Sequence, residues 1–122
     1  MHTLVSKPPI ITIYCCEQSS IHLVIQNVNI GMSPAEFCCL NNQVQSAREQ
    51  IDAGTWPCPY VALTYYSTVV CVLPKEMPDL AEAMQEAEAG IDYLLQLGTI
   101  KPTEHRLCQT NRPQVADFVG PN

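Results

Sequence analysis

The chain lacks any Cys-x-x-Cys turn, although seven of its 122 residues are cysteine. Zinc and iron–sulfur sites usually draw two ligands from such a turn, because it lets both sulfurs converge on one ion. Here the cysteines fall as the vicinal pairs Cys15-Cys16 and Cys38-Cys39 and as the isolated Cys58, Cys71 and Cys108. Adjacent residues point to opposite faces of a strand or about 100° apart around a helix, so a vicinal pair seldom delivers both thiols to one metal. Glycine is scarce as well, with five residues scattered singly. That excludes a phosphate-cradling loop and a Gly-x-Ser-x-Gly elbow, and there is no His-Glu-x-x-His helix. Base is short: six Lys and Arg against twelve Asp and Glu give a formal charge of −6. Such a chain repels phosphate backbones and anionic headgroups, so no nucleic acid partner is expected. No apolar run reaches the length of a membrane span, and residues 1 to 7 lack the basic-then-apolar build of a secretory leader. The expectation is therefore a cytoplasmic protein without membrane insertion, its odd number of cysteines favouring reduced thiols.

What is present belongs to one globular domain, with 47% apolar and 15% charged residues. An N-terminal arm over residues 1 to 9 ends at Pro8-Pro9. Ile11, Ile13 and Cys15 alternate with Thr12, Tyr14 and Cys16 as in a strand, and Ile21, Leu23 and Ile25 repeat the pattern after a polar turn. Joining the apolar faces puts Cys15 opposite Leu23 and Ile13 opposite Ile25, with Cys16 beside His22 on the other face. Residues 28 to 32 extend this strand or form a third.

Ser33 then reads as an N-cap, with Pro34 at the first helical position and Glu36 completing a capping box. Phe37, Leu40, Val44, Ala47 and Ile51 form the buried stripe of that helix, Asn41, Asn42, Gln45, Arg48 and Glu49 its polar side, and Gly54 its stop. Two prolines stiffen the connector from Thr55 to Pro59. Strands over 60 to 66 and 68 to 73 follow, and Pro74 ends the second. A long helix from about 75–78 to Leu97 carries Leu80, Met84, Ala87, Ile91 and Leu94 and stops at Gly98; within it, a small residue at Gly90 suits close helix packing. The order is ββ(β)α-ββα. An α+β fold satisfies it, with an antiparallel sheet of four to five strands, both helices on one face, a domain over 10 to 98 and an extended, proline-containing tail over 99 to 122.

Four kinds of chemistry compete for these residues. Cys16 with His22, and His105 with Cys108 three residues on, each supply half of a metal site, for which zinc is the alternative to having no cofactor. Cys58 between two prolines reads as an exposed loop thiol, while Cys38 and Cys39 lie in the second turn of a helix, where either one of them flanks the core or the dipole modestly lowers the pKa of one thiol. Catalytic residues are not indicated: acids four apart, such as Glu82 and Glu86, lie exposed on one helix face without the burial that tunes a general acid. Binding is indicated twice. Trp56, Tyr60, Tyr65 and Tyr66 cluster in one stretch, and Glu82, Glu86 and Asp92 belong to an acidic helix that suits a basic partner.

The run from Cys15-Cys16 through Ile21-His22-Leu23 to Met32-Ser33-Pro34-Ala35-Glu36-Phe37 resembles small bacterial α+β domains of uncharacterised function, over about residues 10 to 97. Those domains often carry Cys-x-x-Cys where this chain has Cys-Cys, so the resemblance implies no metal role. The small acidic body also looks like secretion chaperones, which bind unfolded segments of partners, though without the long N-terminal helix of that group. The leading expectation is a non-enzymatic adaptor-like or chaperone-like module that holds a protein partner or self-associates. The alternative is a metal-binding or thiol-based sensor using Cys16, His22, Cys58, His105 and Cys108.

Overall fold

Period-two alternation governs the first third of the chain. The computed structural model describes residues 1–7, 11–16 and 18–101. Four strands, β1 (His2–Lys7), β2 (Ile11–Cys15), β3 (Ile21–Ile25) and β4 (Val28–Met32), form an antiparallel sheet in the order β1-β2-β3-β4. Ile11, Ile13, Cys15, Ile21, Leu23, Ile25, Ile30 and Met32 are buried on its inner face. Thr12, Tyr14, His22, Val24, Asn29 and Gly31 alternate with them and make the outer face.

Two expectations are corrected here. Residues 2–7, read as part of an arm, are an edge strand that pairs with β2 and buries Val5. The β2–β3 register also differs by two residues: Cys15 pairs with Ile21, Ile13 with Leu23 and Ile11 with Ile25. A two-residue slip keeps every side chain on its own face, so apolar patterning cannot detect it. The turn decides instead. Cys16 N–H donates to the Ser20 carbonyl at 2.9 Å and Ser19 N–H to the Cys16 carbonyl at 3.1 Å, with Ser19 left-handed at φ 63°.

Helix α1 (Pro34–Asp52) starts where its capping signals place it. The Glu36 N–H donates to Ser33 Oγ at 3.1 Å and the Ser33 N–H to Glu36 Oε1 at 2.9 Å. A single 3₁₀ turn (Pro74–Glu76) leads into α2 (Met77–Leu97), which Gly98 terminates in the left-handed conformation at φ 73°. Phe37, Leu40, Val44 and Ala47 of α1 and Leu80, Met84, Ala87 and Ile91 of α2 join the sheet's inner face in one core. The α1 seam is more polar than its stripe implies. Asn41, expected on the solvated side, is buried, and its Nδ2 donates to Glu88 Oε1 at 3.0 Å, while Gln45 Nε2 donates to Asn41 Oδ1 at 2.9 Å and to the Ala81 carbonyl at 2.8 Å.

Strands β5 (Val61–Tyr65) and β6 (Thr68–Val72) pair through the two-residue turn Tyr66-Ser67 into a separate ribbon. The α+β class is as expected, with the strands divided between two sheets. Val61, Leu63, Val70 and Val72 face the core, leaving Ala62, which is also buried, Thr64, Val69 and Cys71 on the ribbon's other face.

Candidate functional site

The outer face of the four-stranded sheet gathers the most chemically capable group. Cys16 leaves β2 directly after Cys15, whose side chain is fully buried, so the Cys16 thiol is turned to the other face. On that face Tyr14 pairs across the strands with His22, and His22 with Gly31. The Tyr14 and His22 rings stack with centroids 4.8 Å apart and planes 5° from parallel. A Cβ on Gly31 would lie 3.2 Å from His22 Cε1, so the absence of a side chain makes room for the imidazole.

Asn29, next but one to Gly31 on β4, fixes the imidazole. Its Nδ2 donates to the Tyr14 hydroxyl at 3.2 Å, which turns Oδ1 towards His22 Nδ1 at 3.0 Å. An amide oxygen can only accept, so Nδ1 carries the proton and Nε2 is left with its lone pair. The backbone of Gln18 first, then that of Ser20, and then the neighbouring His22 imidazole, which can accept the thiol proton at Nε2, favour the Cys16 thiolate; they outweigh desolvation and lower the thiol from its ordinary value to about 7. The arrangement is a nucleophile, a base and a group that orients the base, on a surface open to solvent.

Of the expected metal ligands, Cys16 and His22 therefore do come together, diagonally rather than directly opposite. His105 and Cys108 lie outside the described residues. Among the described residues no group of three or more His, Cys, Asp or Glu side chains converges as a metal site. Asn29 was missed by sequence reasoning. The signal was present, since the alternation of Asn29 and Gly31 with buried Ile30 and Met32 already puts Asn29 on the His22 face.

The expected binding residues separate. Trp56 is partly buried against the core, and its Nε1 donates to the Tyr60 carbonyl at 3.0 Å, so it closes the connector. Tyr60 is half-buried just ahead of β5. Tyr65 packs on the core and donates to Glu36 Oε1 at 3.0 Å; Tyr66, 79% exposed, donates to Glu36 Oε2 at 2.7 Å. Glu82, Glu86 and Asp92 are exposed on α2, with Glu82 lying 4.0 Å from Lys7. The ribbon's outer face carries exposed Val69, Cys71 and, just beyond β6, Leu73.

Thiol expectations change accordingly. Cys15, Cys16, Cys38, Cys58 and Cys71 are free. Cys39 is disulfide-bonded, against the expectation of reduced thiols. Cys58 is half-buried rather than exposed, and Cys71 is exposed. Cys38 is not activated by the helix dipole: burial, then its hydrogen bond to Glu88 and that carboxylate's charge, push it up to about 11. At the opposite end of the sheet a cleft opens between Lys7, Ile11, Ile25, Lys75, Asp79 and Leu80. No helix among the described residues is long and apolar enough to cross a membrane. No protein-family model matches this chain, and neither a curated protein nor a solved structure does.

Proposed function

We propose that the chain is a non-enzymatic interaction module that receives an apolar stretch of a protein partner on the outer face of the β5–β6 ribbon. One observation carries this: Tyr66, Val69 and Leu73 are 79%, 52% and 47% exposed along that face. An antiparallel sheet with one face in the core normally presents polar side chains on the other, as the four-stranded sheet does with Thr12, Tyr14, His22 and Asn29. On the ribbon only Thr64 is polar among the outward residues of the paired strands. Large apolar side chains exposed together in this way are a feature of contact surfaces, and the Tyr66 ring supplies area at little rotamer cost.

The ribbon's edges favour contact through side chains over strand addition. Gln26 Nε2 donates to the Cys71 carbonyl at 3.0 Å and Gln43 Nε2 to the Thr64 carbonyl at 3.3 Å, so an amide already occupies a carbonyl on each strand. The acidic face bearing Glu82, Glu86 and Asp92 is the competing surface.

A photo-crosslinking residue placed at Val69, and separately at Glu86, tests the choice. One defined partner crosslinked from position 69, lost in Leu73→Glu with the circular dichroism spectrum unchanged and bound by the purified chain with little salt dependence, is the expected result. Crosslinking from position 86 alone, weakening as salt rises, would move the interface to α2. Crosslinks only between copies of the chain would make the face a self-association surface.

A further inference from the structure

We propose that Cys16, His22 and Asn29 form a thiol-exchange site that takes low-molecular-weight disulfides, so that the outer sheet face becomes S-thiolated through Cys16. The site is independent of the apolar ribbon face, because the β3–β4 turn at Gln26, which reaches the ribbon, lies at the far end of β3 from Ser20 and Cys16.

The chemistry follows from the order of the three groups. Asn29 Oδ1 accepts the Nδ1 proton of His22 at 3.0 Å and leaves Nε2 basic. Cys16, set diagonal to His22 on the same face by the strand register and the Cys16–Ser20 turn, gives its proton to that nitrogen, and the sulfur attacks one sulfur of the small disulfide. The old S–S bond breaks as the new one forms. Cys16 ends as a mixed disulfide, and the departing thiolate takes the proton back from His22, so one small thiol is released for each disulfide consumed and no other oxidant is needed.

Two features select this substrate class. Acyl transfer needs free backbone donors for an oxyanion, whereas the Gln18 and Ser20 backbone groups beside Cys16 already favour its thiolate. Turnover needs a resolving thiol, and none of the other free cysteines among the described residues is placed to serve. Cys15, the sequence neighbour, is fully buried on the opposite face, while Cys38, Cys58 and Cys71 belong to α1, the connector and β6. No described thiol resolves the adduct, which an external thiol removes. Among the described residues, the titratable groups near the site are His22 and Tyr14 on the sheet, His2 of β1 opposite Cys15, the Met1 amino group acting on Cys15, and Lys101, whose backbone N–H donates to Ser19 Oγ in the adjoining turn at 3.3 Å.

The test uses oxidised glutathione on the full chain, with intact mass and peptide mapping as the readout. Wild type is expected to gain one glutathionyl group, on Cys16, at a rate that rises with pH and levels off just above 7. His22→Gln should react about fivefold more slowly at pH 7, because its smaller thiolate fraction outweighs the higher nucleophilicity of a more basic thiolate. By pH 10 the order should reverse. Gly31→Ala, which crowds the imidazole without touching Cys16, should shift the profile the same way and guards against a misfolded His22 variant. Matching pH profiles for wild type and both variants, or modification of Cys71 or Cys58 with Cys16 intact, would overturn the proposal. So would steady turnover of p-nitrophenyl acetate that Cys16→Ser abolishes, since that would make the site an acyl-transfer centre.

Discussion

Tyr66 Oη donates to Glu36 Oε2 across 2.7 Å, tying the turn of the β5–β6 ribbon to the first turn of α1, thirty positions earlier. The other carboxylate oxygen accepts from the Ser33 N–H at 2.9 Å and from Tyr65 Oη at 3.0 Å. One side chain thus closes the helix cap and fastens the second sheet to it. Gln26 does related work, its side chain reaching the Cys71 carbonyl at 3.0 Å. Both Gln26 and Tyr66 are left-handed, at φ 56° and 52°. That backbone costs non-glycine residues about 1–2 kcal/mol each, which these tertiary bonds offset.

Capping alone would make Ser33→Ala the costlier change in this box, at about 1 kcal/mol. The added tyrosine bonds reverse the order: Glu36→Ala is expected to cost about 2–3 kcal/mol, from three hydrogen bonds to a charged acceptor. Burial works to raise the Glu36 carboxyl, but the Ser33 backbone and the Tyr66 and Tyr65 hydroxyls outweigh it and lower its pKa. A carboxylate lowered in the folded state adds stability that is complete above its unfolded value of about 4.3 and is lost as pH falls through the folded one. Urea denaturation of wild type and Glu36→Gln should therefore differ most near pH 7 and converge as pH falls through the lowered folded-state value. A gap that persists in acid would mean that shape, not charge, holds the ribbon.

Much of this framework is legible in the sequence because it is written locally. Ser33, Pro34 and Glu36 announce α1, Pro74 and Gly98 bracket the second helical stretch, and the alternation about Ile13 and Leu23 sorts the two sheet faces. Edge strand β1 is not legible, since only Val5 is buried in it and Pro8-Pro9 reads as a boundary. The Cys16–His22 neighbourhood survives the register error because a two-residue slip preserves faces. Asn29 gains its meaning only once β4 lies beside β3, which places it and Tyr14 on either side of the imidazole. Nothing local in residues 61 to 72 shows that these strands leave the main sheet; that depends on Glu36 and on the packing of α1.

Cys38 offers a test of the α1–α2 seam. Its Sγ donates to Glu88 Oε1 at 3.3 Å, the same oxygen that accepts from Asn41. Glu88→Gln removes the negative charge but keeps an oxygen for Asn41, so the Cys38 pKa should fall while burial still holds it above the ordinary value. Native alkylation of Cys38 at pH 9 should rise by about threefold or more, with Cys15 staying inert and Cys71 fast throughout. An unchanged Cys38 rate would show that access, not ionisation, protects it.

Gln43 is buried, and its Oε1 has no hydrogen-bond partner among the described residues, whereas its Nε2 makes only a 3.3 Å bond to the Thr64 carbonyl. Gln43→Met keeps the volume and removes the unsatisfied oxygen, and the half-buried Thr64 carbonyl can turn to water. Stability by chemical denaturation should be unchanged or up to about 1 kcal/mol higher. A loss greater than that would reveal a partner for Oε1.

Gly90 sits inside α2, where glycine costs roughly 1 kcal/mol relative to alanine. The residue it accommodates is not on another helix: a Cβ there would come 3.0 Å from Leu4 Cδ2, on edge strand β1. Gly90→Ala thus sets a gain in helix propensity against displacement of a leucine methyl, and because that methyl is the far end of a flexible chain, the two should nearly cancel. Leu4→Ala alone should destabilise by about 1–2 kcal/mol through lost burial. In the double variant the clash is gone and the propensity gain remains, so the two changes should couple favourably by about 0.5–1 kcal/mol in a double-mutant cycle. Strict additivity would show that β1 and α2 do not approach closely at Gly90, and the case for residues 2–7 as an integral strand would fall with it.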